Sequence, residues 1–151
     1  PRPGEVKIRI YASGVNPSDT KKRLGANPAL LDDGPVIPNS DGAGEIISVG
    51  EGISSSRIGE RVWVYNAQYG RQLGTSAEYV CLPSVHAIIL PDTADYSAGA
   101  MMGIPAMTAH RCVFSDGTLS RCHWCTCFVC RAWLFGAVVA REPQAKQARR
   151  P

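Results

Sequence analysis

The sequence lacks the features that would place it in a membrane or in an oxidising compartment. No apolar run is long enough to span a bilayer, and the most apolar stretch, residues 128–140, is interrupted early by Arg131. No basic and apolar leader opens the chain, because Pro1-Arg2-Pro3-Gly4 leads straight into a strand pattern. There is also no Met at position 1, which points to a start further upstream. Histidine is scarce: His86, His110 and His123 are far apart in sequence and form no ligand set. Cys81 and Cys112 stand alone and read as reduced, buried thiols. These absences favour a cytoplasmic globular protein, and 151 residues suffice for one domain but not for two full ones. The last absence is glycine. Only Gly136 follows Gly117, so no G-x-G-x-x-G turn for a dinucleotide pyrophosphate exists downstream.

What is present reads first as short strands. Glu5-Val6-Lys7-Ile8-Arg9-Ile10 alternates charged and β-branched residues, a strand with one face on a core, which Ser13-Gly14 ends. Asn16-Pro17-Ser18-Asp19 reads as a turn opening a short helix over residues 19–24, and residues 27–39, rich in Pro, Gly and Asp, read as a surface loop. Further strands are expected over residues 42–50, where glycines permit close backbone approach, and over 61–65, 75–82 and 87–90. Strands at this spacing with little helix between them argue for a closed or nearly closed β-barrel. After Asp92 the pattern turns helical. Asp92, Thr93, Asp95 and Ser97 are candidate caps for a helix ending near Met102, and Pro105 suits the first turn of a second helix that ends near Phe114.

The composition shifts again after Leu119. Up to that point acids slightly outnumber bases; beyond it Arg121, Arg131, Arg141, Lys146, Arg149 and Arg150 face only Glu142. Cys122, Cys125, Cys127 and Cys130 crowd into the same stretch. Three readings stay open. The cysteines could form a zinc or redox cluster, although paired C-x2-C knuckles usually need a longer loop between them. The bases could bind nucleic acid or a membrane, although no repeated basic–aromatic pattern supports that. The third and favoured reading is a shifted reading frame or misread gene. Codons for His123-Trp124-Cys125-Thr126, read from the last base of the first, give Leu-Val-(His or Tyr), a buried-strand pattern, but recover no clear glycine motif.

The motifs of the first three-quarters resemble those of a known family. Gly14-Val15-Asn16-Pro17-Ser18-Asp19-Thr20, then Val36-Ile37-Pro38-Asn39-Ser40-Asp41-Gly42-Ala43-Gly44, are similar to the first signatures of quinone oxidoreductases and zeta-crystallins. Val49-Gly50-Glu51-Gly52 with Ile58-Gly59-Glu60-Arg61-Val62, Gly74-Thr75-Ser76-Ala77-Glu78-Tyr79 and Gly103-Ile104-Pro105-Ala106-Met107-Thr108-Ala109 continue the series in order. The resemblance is to the medium-chain dehydrogenase/reductase superfamily, in its zinc-independent NADPH:quinone oxidoreductase branch. It implies a mainly β, GroES-like catalytic domain, here incomplete and without its first strand, over residues 1–95. Linker helices would fill 96–119 and an atypical Cys/Arg-rich tail, frame-shifted or disordered, 120–151, with the Rossmann domain essentially absent.

The resemblance also implies site residues. At the zinc-ligand positions of related enzymes stand Asn16 and Ser40, poor zinc ligands, and Asp41 cannot hold a metal alone, so no zinc is expected. Asn16 would face nicotinamide and substrate, its amide able to donate and accept; as a plain turn residue it would instead hold the chain before Pro17. Thr108 would reach the cofactor carboxamide, or else back-bond within its helix. Lys21 occupies the position of a family tyrosine near the substrate, and Tyr65 and Asn66 are weaker candidates to line the cleft. The implied chemistry is hydride transfer from NADPH to a quinone or enone, in which the protein mainly positions the reactants. Without the dinucleotide-binding half this chain is expected to be inactive. Neither nucleic acid nor membrane is an expected partner, and the oligomeric state is open. The rival reading is a non-enzymatic GroES-like module whose tail binds metal through Cys122, Cys125, Cys127 and Cys130.

Overall fold

A computed structural model describes residues 1–32, 34–114 and 137–140. Strand β1, Glu5–Val15, is the spine of the fold. It continues past Ser13-Gly14, where the alternation of the sequence stops, and the reason is a bulge. Ile10 pairs with Gly44 but Ala12 with Ala43, so Tyr11 is an extra residue that shifts the phase without ending the strand. Helix α1, Pro17–Arg23, follows directly, with Pro17 in its first turn. The 27–39 connection contains a single 3-10 turn, Pro28–Leu31.

Strand β2, Asp41–Val49, returns antiparallel to β1. Gly44 is required there, because a Cβ would lie 1.9 Å from the Arg9 carbonyl oxygen. β3 is Arg61–Val64, β4 Tyr79–Pro83 and β5 Ala87–Ile89. The expected strand over 75–82 is thus shorter. Its first residues instead take backbone bonds from the other side: Thr75 N–H donates to Asn39 O at 2.9 Å and Ser76 N–H to Pro38 O at 3.1 Å.

The sheet runs β4-β1-β2-β3-β5. Its two ends, β4 and β5, are joined only by the three-residue turn Ser84–His86, so the sheet must curl until its edges meet. This is the nearly closed barrel that the strand spacing predicts. Its interior is apolar: Val6, Ile8, Ile46, Val62, Val64 and Leu82 are fully buried. Arg57 seals the seam, its guanidinium donating to Glu60 and to the carbonyls of Ser84 and Ala87.

Helix α2, Tyr96–Ala100, is capped by Asp95, whose carboxylate accepts Ala98 N–H at 2.7 Å. It packs on the outside of β1 and β2 through a small cluster of Ala12, Ala43, Leu90 and Ala100. Arg61 lies over the Tyr96 ring at 4.9 Å and fastens this helix to β3. Helix α3, Ile104–Phe114, follows with Pro105 in its first turn. Of the stretch beyond Leu119, the described residues are Ala137–Ala140, strand β6, antiparallel to Ala12–Val15 of β1. Among the described residues no helix is long and apolar enough to cross a membrane.

Candidate functional site

The lower half of β1 points apolar residues into the barrel; its upper half carries a buried polar corner. Ser13, Asn16, Asp19, Asn39, Ser40, Asp41, Gln68 and Thr75 are all buried. Buried polar groups persist only when they are paired, and most of these are. Ser13 and Thr75 share a hydroxyl hydrogen bond of 2.9 Å, Asn39 Nδ2 donates to Ser13 Oγ at 2.9 Å, and Thr75 Oγ1 donates to the Asp41 carbonyl at 2.6 Å. Asn39 holds this corner with φ of 75°, a left-handed conformation that Asn tolerates better than most residues.

Asp41 is the centre of the corner. It has no solvent exposure. Its Oδ2 accepts from Asn16 Nδ2 at 2.8 Å and from Ile104 N–H at 2.7 Å. Ile104 opens α3, so one otherwise unpaired helix donor is satisfied and the carboxylate sits at the favourable end of the helix dipole. Oδ1 is buried and has no partner among the described residues. Burial raises the Asp41 carboxyl to about 6, with nearby Asp19 adding to the rise, while the two donors and Lys22 oppose it.

Asn16 is the N-cap of α1 and is 2% exposed. Its backbone N–H donates to Asp19 Oδ2 at 2.8 Å, half of a capping box spelled N-x-x-D. Asn16 thus holds the turn before Pro17, and its side-chain amide donates inward to Asp41. Asp19 is itself raised, by burial first and against the opposing pull of the Asn16 backbone N–H and Lys22.

Asp19 also borders a cavity of about 430 Å³ between α1 and the 27–38 connection. Val15, Leu30, Leu31, Val36 and Pro38 make an apolar wall, and Asp19, Lys22, Arg23, Asn27, Asn39 and Gln68 are among its polar groups. Lys22 Nζ donates to Gln68 Oε1 at 2.9 Å, and Gln68 Nε2 donates to Ile37 O at 3.0 Å, which ties the helix to the connection.

The other candidates fall elsewhere. Lys21 is exposed on α1, and Thr108 is exposed on α3, one turn beyond Ile104. Tyr65 packs between Trp63 and the His86 ring, at centroid distances of 5.7 and 5.0 Å, away from the cavity wall. Asn66, with φ of 55°, forms a turn that receives Tyr69 N–H. Cys122, Cys125, Cys127 and Cys130 lie outside the described residues. Among the described residues no group of three His, Cys, Asp or Glu could hold a metal, and Cys81 is half-buried rather than buried.

The sequence reading missed Asp41 as an organising group, together with Asp19, Gln68 and the Ser13–Asn39–Thr75 network. The N-x-x-D spacing was the visible signal for Asp19. Asp41 gave none, because its partners are 25 and 63 residues away.

Comparison with known proteins agrees with this geometry. Residues 2–92 match the alcohol dehydrogenase GroES-like domain. The rat quinone oxidoreductase is 39% identical over 119 residues, covering 76% of this chain and 33% of that protein. The human synaptic vesicle membrane protein VAT-1 homolog is 34% identical over 123 residues, covering 82% and 30%. Among solved structures, the Pseudomonas syringae pv. tomato quinone oxidoreductase superposes with a TM-score of 0.66 at 26% identity, covering 80% of this chain and 35% of that one. A mycobacterial protein solved with NADPH gives a TM-score of 0.66 at 29% identity, covering 80% and 36%. The chain thus spans about a third of the length of these relatives. Barrel, motif order and relatives together place this chain in the alcohol dehydrogenase GroES-like domain family, on the quinone oxidoreductase-like branch of the medium-chain dehydrogenase/reductase superfamily.

Proposed function

We propose that this chain supplies the acceptor-side wall of an NADPH-dependent quinone or enone reductase, and that alone it binds an acceptor without reducing it. The observation that carries the reading is the cavity beside α1. Its volume of about 430 Å³ lies within the usual range for small-molecule sites, and it combines an apolar wall with a few convergent polar groups. A flat, weakly polar ring with one carbonyl suits that lining: the apolar face meets Leu30, Val36 and Pro38, and Lys22 can donate to the carbonyl oxygen.

A dinucleotide needs a strand that passes through a glycine turn into a helix. The two strand-to-helix passages among the described residues, β1 to α1 through Asn16 and β5 to α2 through residues 90–95, contain no glycine. The described residues therefore do not fit the cofactor, and no step is routed through it. By family resemblance Asn16 and Thr108 are the positions that would touch it, and Lys21 the one that would touch the acceptor. Zinc fits no better. Asn16 and Ser40 are weak ligands, and the Asp41 oxygen nearest Asn16 is already taken by two donors.

The test is a titration with duroquinone, whose ring methyls block addition to thiols, followed by methyl NMR. The methyls of Val15, Leu30, Leu31 and Val36 should shift saturably while those of Val6 and Leu82 do not. Shifts elsewhere, or none, would overturn the assignment of the cavity.

A further inference from the structure

Asp41 receives donors from two distant parts of the chain. Asn16 ends β1 and opens α1; Ile104 opens α3. Both bonds land on the same oxygen, at 2.8 and 2.7 Å. An ionised carboxylate only accepts, so the NH₂ end of the Asn16 amide must face it. That choice removes the two-fold freedom that a terminal amide otherwise has.

The corner is built to hold the carboxylate still. Thr75 Oγ1 binds the Asp41 carbonyl from one side. On the other side Gly103 lies flat against the carboxylate, where a Cβ would come within 2.2 Å of Oδ1. Gly14 lets the neighbouring strand and the Ala100 carbonyl close in, since a Cβ there would meet that oxygen at 2.5 Å. These are the marks of a group whose position matters, at the cost of a buried oxygen with no partner among the described residues.

We propose that Asp41 is a positioning residue: through one carboxylate oxygen it sets the amide of Asn16 and the first turn of α3 together, so that the barrel's reaction-side corner and the helix leading away from it move as a unit. That Asn16 faces a reaction cleft rests on the function proposed above; the coupling itself does not.

The coupling is read by NMR without turnover. The Asn16 side-chain amide, the Ile104 backbone amide and the Asp41 carboxyl carbon should titrate with one shared midpoint near pH 6. Asp19 and Lys22, both on α1, are the other charged groups that face Asp41. Asp19→Asn and Lys22→Gln should move the midpoint, down and up respectively, and leave the signals tied together. Asn16→Ala removes a donor to the carboxylate, so the midpoint should rise while Ile104 still follows it.

In Asp41→Ala the Ile104 amide should exchange on the order of tenfold faster or more, and the Asn16 amide signals should move to unbound positions. Asp41→Asn, which keeps an acceptor in place, should restore the Ile104 protection. Separate midpoints for Asn16 and Ile104, or an Asp41→Ala chain with its Val6 and Leu82 amides still protected and Ile104 unchanged, would overturn the proposal. If Asp41→Ala does not fold, Asp41→Asn and Asn16→Ala decide it: the pH response of the Asn16 and Ile104 signals should vanish in the first and persist at Ile104 in the second, and the reverse would overturn the proposal. Failure of duroquinone to bind, with the shared titration intact, would remove the functional reading and leave the coupling standing.

Discussion

The two ends of β1 are built on opposite principles. From Val6 to Ile10 the strand puts an apolar side chain inward at every second residue, and the neighbours are equally apolar. From Ala12 onward, past the bulge at Tyr11, the inward groups are small or polar and the neighbours are Asn39, Asp41 and Thr75. The first end gains free energy from burial alone. The second buries a carboxylate, one of whose oxygens has no partner among the described residues, which costs stability. In this molecule the apolar end holds the fold, and the polar end spends part of that stability on fixed geometry.

If this division is right, the largest loss should come from the apolar end. Leu82→Ala or Ile8→Ala, each at a fully buried site, should destabilise by about 2–5 kcal/mol in chemical denaturation. A loss below about 1 kcal/mol would mean that the barrel interior is not the main store of stability.

The next effect concerns pH. The Asp41 carboxyl is raised on folding, so the folded chain holds the proton more tightly than the unfolded one. Its contribution is fully present below about pH 4 and is lost as pH rises through about 6. The raised value corresponds to roughly 3 kcal/mol across that window. Asp19 acts in the same direction. Subtracting the pH profile of Asp41→Asn from that of the unaltered chain isolates the Asp41 share, which should fall with rising pH. A difference that is flat or rises would contradict the buried, charged corner.

Thr75→Val tests the network beneath Asp41. It removes the hydroxyl that donates to the Asp41 carbonyl and meets Ser13. The expected loss is about 1–3 kcal/mol, with the Ile104 amide exchanging faster than the barrel amides. Uniform acceleration would mean that the corner is not a separate unit. The smallest effect is expected in the tail. The paired changes Cys125→Ser and Cys127→Ser should alter neither stability nor zinc content after dialysis. Stoichiometric zinc, lost in that variant, would favour the rival metal-binding reading.

The apolar end was legible in the sequence because its signal is local. Alternation over Glu5 to Ile10 and the helix-opening turn at Asn16-Pro17 are short-range patterns, and the elements appeared close to their expected places. The bulge at Tyr11 was not legible, because a phase shift looks like the end of a strand. The short β4 was hidden for a similar reason: Thr75 and Ser76 look like strand residues but spend their N–H groups on Asn39 and Pro38. Of the corner, Asn16 was found through its motif. Asp41 was noticed only as a poor metal ligand, since nothing local marks a side chain whose partners are two distant donors. Tyr65 and Asn66 were placed in a cleft because aromatic and amide groups at strand ends often line one. Here the ring lies beside His86 and the backbone of Asn66 turns left-handed.

The central proposal is that the described residues offer a wall for the acceptor and none for the dinucleotide. Titrating the purified chain into NADPH and following the nicotinamide fluorescence tests it most directly. The account predicts no change in emission and no loss of absorbance when duroquinone is added. Saturable binding in the micromolar range, or oxidation of NADPH that depends on the chain, would contradict it.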